Sequence, residues 1–90
     1  MKVVRIFEAN HGDICIAATV QDAIDYLLRE GWVHKHTDVW DGRDQCWTSV
    51  VGYFGHNWKN IISSMSLEEF NDVFEDDFAL YPTEVYERKP

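Results

Sequence analysis

KVVRIFEANHGDICIAATVQDAIDYLLREG (residues 2–31) carries two different hydrophobic periods, and the change from one to the other decides the fold. Lys2 to Glu8 is rich in β-branched and aromatic residues, Asn10-His11-Gly12-Asp13 is turn chemistry, and Ile14 to Ala18 is apolar again; this is the pattern of a hairpin. From Val20 the period lengthens. Val20, Ala23, Ile24, Leu27 and Leu28 fall at i, i+3, i+4, i+7 and i+8, with Thr19 placed to cap the start and Gly31 just past the end. An amphipathic helix behind a hairpin is the beginning of an α+β domain.

The same reading extends toward the C-terminus. Trp32 to Val39 and Cys46 to Phe54 read as a second hairpin around Asp41-Gly42, with Arg43 and Asp44 also suited to the turn. Trp58, Ile61, Ile62 and Met65 repeat at helical spacing after Asn57, a good cap, and Ser66-Leu67-Glu68-Glu69 is a capping box that opens another helix. Phe78 to Glu87 alternates in part, but Pro82 removes a backbone donor, so it is expected as an edge strand or an extended tail against the sheet. The expected order is β-β-α-β-β-α-α-β, a single α+β domain over residues 1–90. Its expected antiparallel sheet holds two hairpins and a C-terminal edge strand, with three helices on one face.

Ninety residues suffice for one modest core, and 46% hydrophobic residues with 14% aromatics exclude a disordered tail. No apolar run approaches the roughly 18 to 20 residues that span a bilayer. The N-terminal MKVVRIFEANHGD is interrupted by Arg5 and Glu8, unlike a signal peptide, so the expected location is the cytoplasm. Cys15 and Cys46 would be reduced there.

Charge is concentrated at one end. Six carboxylates and no base fall between Glu68 and Asp77; from Leu67 onward there are eight acids against two bases, and before it eight against six. At about 100° per residue, Phe70, Val73 and Phe74 lie on the same side of a helix as Leu67, while Glu68, Glu69, Asp72, Glu75 and Asp76 occupy the opposite side. Such a face attracts basic surfaces and repels nucleic acid; its plainer use is as a solvated face that keeps the protein soluble.

His34 and His36 stand two apart on an expected strand, which would aim both imidazoles to one side about 7 Å apart at Cα, as a shared zinc ion requires. Cys46 would join them only in one hairpin register. A two-residue loop sets it opposite Thr37 and facing away, and a three-residue loop sets it opposite Asp38 on the histidine side. Asp38, Asp44, His56, His11 or Cys15 are candidates for a fourth ligand, although Cys15 in its apolar run reads first as a small core residue. Two surface histidines are the alternative. Trp32 and Trp58 read as core, and Trp40 and Trp47 as core or turn packing, with exposed interface anchors as the other use of the latter pair. Phosphate loop, nucleophile elbow and HExxH motifs are all lacking, and adjacent helical acids such as Glu68 and Glu69 point apart; the expectation is a non-enzymatic protein.

With this character, and with the segment SMSLEEFNDVFEDDFALYPTEVYERKP (residues 64–90), the chain resembles the small acidic proteins of phages and prophages of Gram-positive bacteria. In particular it resembles type II-A anti-CRISPR proteins, inhibitors of the RNA-guided DNA nuclease. That group shares no motif, so no residue role is carried across. The resemblance implies a stoichiometric inhibitor in the host-cell cytoplasm that binds the nuclease and blocks DNA loading or nuclease movement, with zinc in one member. The rival classes are an immunity protein or antitoxin covering a basic toxin nuclease, and a phage structural or regulatory protein.

Overall fold

In the computed structural model, which describes residues 1–85, the period change in the first thirty residues is realised as strands β1 (Lys2–Glu8) and β2 (Gly12–Ala17) and helix α1 (Val20–Arg29). β1 is the central strand of a three-stranded antiparallel sheet ordered β2-β1-β5, where β5 is Phe78–Glu84. Its pairing with β5 runs without interruption from Lys2↔Glu84 to Glu8↔Phe78. Pairing with β2 shifts between Ile6 and Phe7, leaving Ile14 as the extra residue of a bulge.

The Thr19 hydroxyl accepts the Asp22 N–H at 3.1 Å, as its place before the helix requires, and α1 buries Ala23, Ile24 and Leu27. Gly31, at φ +77°, turns the chain off the helix in the left-handed conformation that glycine adopts without strain. These residues join Val4, Ile6, Ile62, Phe70, Phe74, Phe78 and Leu80 in one hydrophobic core.

The second hairpin forms its own two-stranded sheet, β3 (Asp38–Asp41) with β4 (Cys46–Ser49). The expectation of one sheet is corrected accordingly. Asp41 pairs with Cys46, so the loop is four residues rather than two or three. Asp41 holds it by accepting the Arg43 N–H at 2.9 Å, and Gln45 sits at φ +53°.

Both expected strands are shorter than read. His34 to Thr37 is a turn, closed by Thr37 N–H to His34 O (3.0 Å) and His34 N–H to the Thr37 hydroxyl (2.9 Å). Val50-Val51-Gly52-Tyr53-Phe54, strand-like by propensity, is helix α2 (Val50–Phe54). Ser49 caps it by accepting the Gly52 N–H, and Gly55 at φ +82° ends it. The two caps outweigh the β preference of the valines.

Helix α3 (Trp58–Ser63) buries Ile62 and leads to α4 (Leu67–Val73), whose capping box is complete: Glu69 N–H to Ser66 Oγ at 3.2 Å, and Ser66 N–H to Glu69 Oε1 at 3.3 Å. α4 turns Phe70 inward and ends on the buried Phe74; the ring centroids of Phe70 and Phe74 are 4.7 Å apart, and those of Phe74 and Phe78 6.3 Å. From the same helix Asn71 reaches β5, donating from Nδ2 to Leu80 O (3.0 Å) and accepting the Leu80 N–H at Oδ1 (2.8 Å). This clamp satisfies the outer edge of β5 at Leu80, and Pro82 removes a further donor from the strand. β5 is thus the expected edge strand; the Tyr86 and Glu87 part of that expectation lies outside the described residues.

Asn71→Ala leaves both Leu80 groups without their partner and is expected to destabilise the fold by about 1–3 kcal/mol, read from the urea midpoint at unchanged m-value. An unchanged midpoint would mean that the clamp contributes nothing.

Candidate protein-binding surface

Glu68, Glu69 and Asp72 stand on the outer side of α4, all exposed. The helix ends earlier than the acidic pattern implies: Phe74 is its C-cap, and Glu75 and Asp76 lie, also exposed, in the turn between α4 and β5. The expected face of five helical carboxylates is therefore three on the helix and two on the turn. Phe74 N–H still bonds Phe70 O at 3.0 Å and Phe78 N–H bonds Phe74 O at 2.8 Å, so the turn is tied to the helix. Among the described residues none of the five forms an ion pair.

Asp77 faces a different environment. It is half-buried, and its carbonyl accepts the Ala9 N–H at 2.9 Å, holding the turn to the end of β1. Burial raises its pKa above the ordinary 3.8, and the neighbouring charges of Asp38, Asp76 and Glu8 push it the same way. Glu8, buried at the end of β1, has the reverse shift. The hydrogen bond from His11 Nδ1 at 2.5 Å lowers its pKa against the effect of burial, helped by the Asn10 N–H at 2.9 Å. Asp77 thus feels the charge of carboxylates from three parts of the chain, and among the described residues only Glu8 of these four accepts a hydrogen bond from another side chain.

The aromatic surface lies on the second hairpin. Trp40 and Trp47 are directly opposite each other across β3 and β4, their ring centroids 5.4 Å apart at 66°. They are 41% and 54% exposed, which corrects the expectation that they pack into the turn or core. Val39 turns inward and is buried, and strand alternation places Trp40 and Asp38 together on the outward side. The alternation around Val39 was the signal in the sequence for this exposure. Trp32 and Trp58 pack against the core as expected.

The rings of His34 and His36 stand 6.3 Å apart, but the hairpin does not bring Cys46 to them. The two histidines occupy the turn before β3 rather than a strand face, and His34 Nδ1 accepts the His36 N–H at 3.1 Å. Cys46 pairs with Asp41, four residues further along from Thr37, roughly 13 Å of strand. Among the described residues no three His, Cys, Asp or Glu side chains are grouped to hold a metal ion. His11 is engaged by Glu8, and Cys15 is half-buried beside the core. Cys46 instead lines an open depression of about 500 Å³ with Asp41, Arg43, Asp44, Thr48, Gly52 and Tyr53, none of them a histidine.

No helix among the described residues is long and apolar enough to cross a membrane. No protein-family model, curated protein or solved structure matches the chain.

Two outcomes test this electrostatic and metal-ligand geometry. Because the folded chain holds the Asp77 proton more tightly than the unfolded chain, stability falls as pH rises through the window above 3.8. Asp77→Asn is expected to raise the melting temperature at neutral pH, with the gain vanishing below that window; an equal gain at every pH would assign it to something other than charge. For the histidines, a melting temperature insensitive to chelator is the outcome this geometry favours. A full equivalent of zinc in untagged protein, lost in His34→Ala together with stability, would restore the metal reading.

Proposed function

We propose that this protein is a non-catalytic inhibitor that works by docking its acidic surface on a basic protein, and that the basic protein is a type II-A RNA-guided nuclease. The observation that carries the reading is the exposed set Glu68, Glu69, Asp72, Glu75 and Asp76, presented without ion-pair partners among the described residues by an element anchored through Phe70, Phe74 and Asn71. The identity of the nuclease comes from the resemblance in size, acidity and lack of catalytic motifs.

The physics of such docking is direct. A nuclease holds its nucleic-acid duplex in a channel lined by Lys and Arg, and displaced counterions supply much of that affinity. Carboxylates held on a small rigid body compete for the same cations and exclude the duplex by charge and volume. Long-range attraction between opposite fields speeds the encounter, and a preformed surface loses little conformational entropy on binding.

Replacing all five acids with Lys is expected to weaken binding by several kcal/mol, since like charges then face each other across the interface. Circular dichroism would verify the fold, and calorimetry against the guide-loaded nuclease would measure the loss. Inhibition by the natural chain should break at a fixed molar ratio. Unchanged affinity in the folded variant, or complete inactivation by strongly substoichiometric protein, would contradict the proposal.

A further inference from the structure

The exposed tryptophans have a carboxylate on their own side of the second hairpin. Asp38 shares the outward side of β3 with Trp40, two residues away, and lies close enough to Asp77 for its charge to act on that carboxyl. Asp77 adjoins Asp76 and Glu75 in the turn after α4. A pair of accessible indole rings therefore shares the outward side of the hairpin with the exposed Asp38. Two large aromatics that pack on each other while half exposed cost the free protein hydration without reaching its core.

We infer that Trp40, Trp47 and Asp38 form a docking site for an arginine side chain on a basic segment of the partner protein. Charge selects the occupant. A second copy of this chain would bring the same carboxylates face to face, on a molecule with net charge −8, and nucleic acid or an anionic membrane would be repelled by the same field. Among cations, guanidinium fits best: its plane stacks on an indole face while its N–H groups reach a carboxylate, whereas an ammonium is more strongly hydrated and offers no plane. Tryptophan and arginine are also the residues that most often carry the energy of an interface. The inference rests on the basic-partner reading above and extends it to a second part of the surface, with the five acids steering the encounter and the indoles supplying contact.

The test uses the full chain with its indole N–H groups labelled with nitrogen-15, titrated with a synthetic alternating Arg–Gly peptide, its Lys–Gly counterpart and a Ser–Gly control. The Trp40 and Trp47 signals are expected to shift with the Arg peptide while Trp32 and Trp58 stay in place. The Lys peptide should bind several-fold more weakly, and the Ser peptide should leave the spectrum unchanged. The W40A/W47A variant should lose affinity roughly tenfold, whereas W40F/W47F, which keeps aromatic faces, should retain most of it and so separate ring loss from unfolding. The five-lysine variant of the α4 surface should still show the indole shifts, more weakly. Peptide binding with stationary Trp40 and Trp47 signals overturns this inference and leaves the acidic-surface reading standing; absence of binding to either cationic peptide contradicts both. Self-association that W40A/W47A abolishes would assign the pair to a contact between copies of the chain instead.

Discussion

The docking of α4 on β5 is the contact on which the rest of this molecule depends. Phe70 and Phe74 turn one side of a short helix into the core, Phe78 continues the aromatic packing into the sheet, and Asn71 bonds both backbone groups of Leu80. A helix of seven residues is too short to persist alone in water, so its order comes from this packing and from the Ser66–Glu69 cap. The consequence is orientation. With the aromatic side committed inward, Glu68, Glu69 and Asp72 have no direction but outward, and the turn that follows carries Glu75 and Asp76 beside them.

That arrangement has an electrostatic cost in the free protein. The half-buried Asp77 is acted on by the charges of Asp38, Asp76 and Glu8, and among the described residues only the last accepts a hydrogen bond from another side chain, that of His11. Bringing like charges together on a small domain reduces stability, and a cationic partner removes the penalty on contact. A surface poised in this way gains more from binding than the same carboxylates scattered over the molecule, provided the scaffold beneath them is rigid.

Much of the α+β layout was legible in local sequence because local chemistry dictated it. The change of period at Val20, Thr19 as a cap, the Ser66–Glu69 box and Pro82 in an edge strand each act within a few residues, and each appears in the structure. The second hairpin departs from its sequence pattern where two local signals compete. Val50 and Val51 favour a strand, yet Ser49 and Gly55 bracket a five-residue helix, and the caps prevail. His34 and His36 looked strand-like until the Thr37 hydroxyl closed a turn on His34. These errors propagate to the candidate metal site, because placing Cys46 with the histidines required a strand and a loop length that the chain does not adopt. The action of Glu8 and Asp38 on Asp77 has no signature in the sequence, since the three residues lie on different elements.

A protein with one core, an outward acidic surface and an exposed indole pair is suited to occupying another protein's cationic groove. In the proposed complex, electrostatic contact with a basic nuclease surface would hold the two proteins together. Calorimetric titration of guide-loaded type II-A nuclease with the full chain over a series of salt concentrations tests it most directly, because attraction between exposed charges is screened as the Debye length shrinks. The account predicts a complex of fixed stoichiometry whose affinity falls steeply with rising salt. Absence of binding at low salt, or an affinity indifferent to salt, would contradict it.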